Sequence, residues 1–333
     1  GLAIMGFGGG AMIGAPLKRW LLQKFSKEPE FLGQTSDLNM ITENGVRFVQ
    51  TAAGKQEVIV ASATDIPQFG DGMSAGVYAV GTGNTGAATT FLVLGLIYLV
   101  IMLIASFAYR VPADDWRPNG WTPPEASSQK KMITQNDVGI STAMKTPQFI
   151  FLWIVLCMNV TAGIGVIGVA KTMIGEIFGS QLSPEAKEGF FFANYVLMIS
   201  VFNMVGRFFW ASISDWIGRK STYTIFFVLG CCLYLSIPWA AANAGASTIS
   251  TSFITFYAAT MIIFTMYGGG FATIPAYLAD MFGSKFVGAI HGRLLTAWSI
   301  AGVLGPVAIA KLREASIANA INNLAPKIDK DKF

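Results

Sequence analysis

The chain has 333 residues, of which 53% are hydrophobic and only 13% charged, with a net charge of +4 and a mean hydropathy of +0.52. A soluble domain carries about 25% charged residues, so this chain lacks the polar surface to cover a water-soluble globule of its size. The basic excess contains no Lys/Arg run longer than two; it gives no nucleic-acid footprint and fits the cytoplasmic loops of a membrane protein.

The apolar residues gather into seven runs, at 1–22, 88–110, 148–171, 189–213, 222–243, 252–279 and 287–311. Each is close to the ~20 residues that cross a bilayer as a helix. Gly and Pro recur inside them, as in Gly8-Gly9-Gly10, Gly268-Gly269-Gly270 and Gly305-Pro306. Membrane helices tolerate these because small residues let backbones approach closely. Gly1 already reads as helix interior and no charged segment precedes it, so a signal peptide is not expected. Both ends read as cuts within a longer protein.

Between the first two runs lies a polar insert, 23–87. Residues Gly45 to Gln50 and Glu57 to Val60 flank Ala53-Gly54-Lys55 and alternate as a small β-hairpin. Gly70 to Gly86 is Gly-rich and reads as loop. Cys157, Cys231 and Cys232 lie in apolar runs without paired spacing, as free thiols within helices. One His cannot complete a metal site with them, and neither metal nor cofactor is expected.

Loop charge sets an orientation. Arg110, Arg117, Lys130, Lys131 and Lys145 lie in 110–147, Arg219 and Lys220 in 214–221, and Lys285 in 280–287, whereas 244–251 has no Lys or Arg. The first three connections are therefore expected in the cytoplasm, with the insert outside.

The stretch Gly206-Arg207-Phe208-Phe209-Trp210-Ala211-Ser212-Ile213-Ser214-Asp215-Trp216-Ile217-Gly218-Arg219-Lys220 closes one run and opens the next. It resembles the loop signature of the major facilitator superfamily, with Asp215, Gly218, Arg219 and Lys220 matching and Ala211 in place of the usual glycine. Gly218 permits a tight turn, Asp215 is suited to a helix N-terminus across the bundle, and Arg219 and Lys220 hold the loop in the cytoplasm. The oxalate–formate antiporter family is similar at Gly6-Phe7-Gly8-Gly9-Gly10, Thr146-Pro147-Gln148-Phe149, Phe202-Asn203 and Met266-Tyr267-Gly268-Gly269-Gly270-Phe271. The resemblance implies that the runs are helices 5 to 11 of a twelve-helix transporter. Residues 1–110 would end its N-terminal bundle, 111–147 form the central cytoplasmic loop, and 148–333 build the C-terminal bundle.

Arg207 shares a helical face with Ser200, Asn203, Ala211 and Ser214. An intramembrane charge costs about 2.5–3.5 kcal/mol on insertion scales and faces a cavity or a partner; the alternative is that Arg207 snorkels to the headgroups. The resemblance implies a carboxylate-binding arginine here, and guanidinium suits that role by its bidentate geometry. The family's second cation is a helix-11 lysine, and Trp298 stands at its place. That departure favours a monocarboxylate over oxalate, with Trp298 lining the cavity or packing as a core aromatic. Tyr267, and with less support Tyr257, are further cavity candidates. His291 is a possible titrating group or a structural helix-end residue, and Arg293 a second cation or a positive-inside residue. No Asp or Glu lies in the middle of a run, which favours anion exchange or uniport over proton coupling.

A retinal protein needs a lysine in the middle of its last helix, and Lys311 lies at the end. No nucleophile–base pair suggests a membrane enzyme. The expected architecture is an all-α polytopic membrane protein, a partial major facilitator fold with an extracytoplasmic β-hairpin insert. The expected function is transport of small carboxylates by alternating access, as antiport or symport, by a monomer in a bacterial inner membrane; a sensor built on a transporter scaffold is the alternative.

Overall fold

The computed structural model describes residues 2–51, 54–62, 73–110, 113, 116–117, 119–120, 134 and 136–324. Lys130, Lys131 and the expected hairpin turn at 52–53 lie outside them. The chain divides into two compact units: Gly14–Trp121, and Gly1–Ile13 together with Thr122–Phe333. The boundary falls inside the first helix, α1 (Leu2–Phe25).

In the first of these units the insert folds as β1 (Phe31–Gly33), β2 (Met40–Glu43), β3 (Val46–Thr51), β4 (Gly54–Ala61) and β5 (Gly76–Ala79). The expected hairpin is β3–β4, with Val49 opposite Gln56 and Thr51 opposite Gly54. It is only the middle of an antiparallel sheet ordered β1-β5-β4-β3-β2. The stretch Gly70–Gly86, expected as loop, instead contains β5, which is buried throughout. Its four residues are too short for alternation to show; pairing with β1 and β4 makes it a strand. Val49, Val58 and Val77 form the sheet's own small core. The sheet leads into α2 (Ala87–Ala108), a 22-residue helix whose ~33 Å length matches the hydrocarbon thickness.

The other unit holds α3 (Ile140–Ala143), α4 (Pro147–Phe178), the short α5 (Pro184–Glu188) and α6 (Phe190–Ala193), then α7 (Tyr195–Ile217), α8 (Arg219–Ala242), α9 (Thr251–Phe282), α10 (Val287–Leu294) and α11 (Thr296–Leu324). Thr146-Pro147-Gln148-Phe149 is a helix start: the Thr146 hydroxyl accepts from the Phe149 N–H at 3.3 Å, and Pro147 occupies the first turn, where its missing N–H costs nothing. Helix α9 is the centre of this unit and is buried along most of its length. Where α7 crosses it, a Cβ on Gly206 would sit 2.1 Å from the Thr265 carbonyl, and one on Gly268 2.2 Å from that of Asn203. Only glycine permits this backbone contact.

Among the described residues, six helices are long and apolar enough to cross a membrane: α2, α4, α7, α8, α9, and α10–α11 taken together to Asn322. The seventh expected run, 1–22, is helical but is not among them, because five glycines and Lys18-Arg19 dilute its apolar content. The last helix runs thirteen residues past the expected end at 311, to Leu324. Cys157 is buried in α4, whereas Cys231 and Cys232 are exposed on α8; all three are free thiols.

Candidate functional site

Helix α7 buries Ser200, Arg207 and Ser214 at a spacing of seven, two helical turns apart, together with Tyr195, Ile199, Gly206 and Trp210. Arg207 is turned inward and only 2% exposed, so its side chain is not drawn out to the helix surface. Its Nε donates to Asn203 Oδ1, one turn earlier, at 3.2 Å. Ser200 Oγ donates to the Gly8 carbonyl at 2.9 Å, and Gly8 packs directly against the Arg207 side chain. The Gly-rich start of the chain is thereby fastened along the polar stripe of α7.

The Arg207 guanidinium carbon lies 5.1 Å from the centre of the Phe7 ring and 5.3 Å from that of Phe271, within cation–π range. Trp298 meets both rings nearly edge-on, at 5.9 Å from Phe7 and 5.6 Å from Phe271. Tyr267 packs on Phe271 at 5.3 Å. The structure thus gathers Arg207, Asn203, Tyr267 and Trp298, from three helices, around two phenylalanines that side-chain chemistry alone does not single out. A signal for both was present in the sequence, since Phe7 and Phe271 each adjoin a glycine run. Phe7 is largely exposed and Trp298 half-buried, so one side of the cluster is open.

Other candidates lie elsewhere. Tyr257 belongs to a separate aromatic group with Phe191, Tyr195 and Phe253. His291 sits half-buried on α10, its Nε2 without a hydrogen-bond partner. Arg293 is exposed and donates to the Ala289 carbonyl at 3.0 Å. None of the described contacts joins either residue to Arg207. Among the described residues no His, Cys, Asp or Glu group is arranged to hold a metal.

The loop motif forms a second polar centre. Gly218, at φ +87°, makes the turn from α7 into α8. Arg219 is 9% exposed; its Nη2 pairs with Asp215 Oδ1 at 2.6 Å, its Nε with Asp280 Oδ2 at 3.1 Å, and its Nη1 donates to Ser214 Oγ. Asp215 therefore meets Arg219 in its own loop instead of a helix N-terminus across the bundle. The second carboxylate comes from the end of α9, 61 residues away, and Lys220 is exposed.

The Major Facilitator Superfamily model matches residues 69–306. The chain is 26% identical over 225 residues to the oxalate:formate antiporter of Oxalobacter formigenes, covering 66% of this chain and 46% of that protein. It is 23% identical over 220 residues to the uncharacterised MFS-type transporter YhjX of Escherichia coli K12, covering 66% and 48%. The chain spans about half the length of these curated relatives. Membrane-length helices, a buried arginine stripe and the α7–α8 loop motif agree with the family match: the chain belongs to the Major Facilitator Superfamily, a family of membrane transporters and not of enzymes.

Proposed function

We propose that this chain forms part of a carrier for small carboxylates, with Arg207 binding the carboxylate. The observation that carries this reading is the burial of the Arg207 guanidinium within a membrane-length helix, against Phe7 and Phe271 and beside Asn203. A desolvated guanidinium attracts a carboxylate strongly and orients it by paired N–H donors. The name of the Oxalobacter relative, an oxalate:formate antiporter, supports an anionic substrate. Trp298, standing where the family carries its second cation, favours a monocarboxylate such as formate, lactate or pyruvate. Tyr267 and Trp298 would enclose its apolar part.

The mechanism is alternating access, in which two helical bundles rock about a site near the bilayer midplane. Residues 1–110 belong to the first bundle, 111–147 to the linker and 148–333 to the second. The 214–221 and 280–287 connections and the linker face the cytoplasm of a bacterial inner-membrane protein; the sheet faces outward. Uptake of labelled formate, lactate, pyruvate and oxalate by the full-length protein in proteoliposomes tests the reading. Monocarboxylate uptake that Arg207→Ala abolishes supports it; normal transport by that variant overturns the assignment of Arg207.

A further inference from the structure

Asp280 connects the loop motif to a part of the chain with no share in that motif. While its side chain pairs with Arg219, its carbonyl accepts from the Thr134 N–H at 3.2 Å. Two residues on, the Phe282 carbonyl accepts from the Val138 N–H at 2.9 Å. Asp137 Oδ1 then accepts from the Lys285 N–H at 3.0 Å. Gly283, which ends α9 at φ +83°, is packed so closely that a Cβ there would lie 2.4 Å from that same Asp137 oxygen. Three connections distant in sequence are joined here through α9: the tail before α3, the α7–α8 turn and the α9–α10 turn.

The geometry points to Asp137 as a positioning residue for transport: it clamps the chain before α3 onto the end of α9 and so holds Asp280 against Arg219. Asp137 is exposed and touches no part of the Arg207 cluster among its described contacts; its action runs through the α9–α10 turn. The clamp keeps the two turns and the preceding chain moving as one body, and releasing it opens the path along α7 from this end. This inference rests on the alternating-access reading above.

The test uses the full-length protein in proteoliposomes, with Cys157, Cys231 and Cys232 replaced by serine and a reporter cysteine at Ala211→Cys, one turn beyond Arg207. The reporter's rate of reaction with a membrane-impermeant maleimide, applied at the loop face, is measured without substrate. Maximal uptake and KM for formate are measured in parallel. Losing one hydrogen bond of this kind shifts an equilibrium by about threefold or more. Asp137→Ala is expected to speed reporter labelling by that factor and to lower maximal uptake with little change in KM. Asp137→Asn, which keeps the accepting oxygen, should stay near the parent. Asp280→Asn, which removes a charge of the buried pair itself, should speed labelling at least as much as Asp137→Ala, and the double variant should be no worse than the worse single. Should Asp137→Ala fail to insert, Thr134→Pro, which deletes the N–H reaching Asp280, carries the same expectation. Parental labelling in Asp137→Ala, an Asn variant as impaired as Ala, or effects that multiply in the double variant would each overturn the clamp. If labelling shifts as expected but no carboxylate is taken up, the clamp stands and the substrate reading fails.

Discussion

Arg207 and Trp298 share a neighbour: the Phe271 ring lies 5.3 Å from the Arg207 guanidinium carbon and 5.6 Å from the Trp298 ring. Phe7 bridges the same two residues from α1. The cation is therefore held by aromatic surfaces on two helices, and under the proposed function its reach toward a carboxylate depends on them. A cation–π contact is worth about 0.5–2 kcal/mol. Phe271→Ala is expected to weaken carboxylate affinity by about fivefold, with Phe271→Leu no better, since bulk without a π-face does not replace the contact. Competition uptake assays read this directly.

Arg207→Lys should not rescue Arg207→Ala. Lysine keeps the charge but loses the planar fork and the Nε donor that Asn203 accepts. An increase in KM of about tenfold or more is expected; uptake by Arg207→Lys with parental KM would show that charge alone suffices.

Trp298→Lys tests the part of the proposed function that assigns Trp298 to the place of a second cation. Under the proposed function, this variant should gain inhibition of formate uptake by oxalate, relative to the parent, as two cations come to face two carboxylates. Unchanged selectivity would place Trp298 in the packing of the bundle only.

Gly268→Ala should destabilise the bundle where α9 meets Asn203, whose side-chain oxygen lies 2.6 Å from the new Cβ. The new methyl group would enter the space of the Asn203 carbonyl, 2.2 Å from its expected position, and overpacking typically costs about 1–3 kcal/mol. Thermal unfolding in detergent should show a lowered midpoint. Gly10→Ala, where a Cβ meets nothing within 4 Å, is the control and should not lower the midpoint, since alanine is the better helix former.

In the loop motif the two carboxylates are not equivalent. The side chain of Asp280 is 12% exposed and that of Asp215 42%. Removing one partner of a buried pair costs about 3–5 kcal/mol, whereas an exposed pair contributes about 0–1 kcal/mol. Asp280→Ala should therefore lower the unfolding midpoint more than Asp215→Ala, and Lys220→Ala should have almost no effect.

Membrane class, the approximate places of the long helices and the family are legible in the order of residues. Each rests on a local property: runs of apolar residues long enough for the bilayer, Thr146-Pro147 at a helix start, and Gly218-Arg219 at a turn. Arg207 was legible for the same reason, since a lone charge in an apolar run stands out whatever surrounds it. Which residues surround that charge follows from how the helices pack. Phe7 and Phe271 are ordinary apolar residues in their own helices, and they become neighbours of Arg207 through contacts spanning many residues. Asp280 in the last turn of α9 and Asp137 in the chain before α3 carry no signal of their own, because an acidic residue in such a place is unremarkable until its partner arrives from 61 or 148 residues away. Strand β5 shows the same limit: four residues carry no periodic signal, and hydrogen bonds to β4 and β1 make it the best-buried strand of its sheet. Local patterns specify what a segment is; what it touches is set by packing between distant segments, and the arrangement around Arg207 is of that second kind.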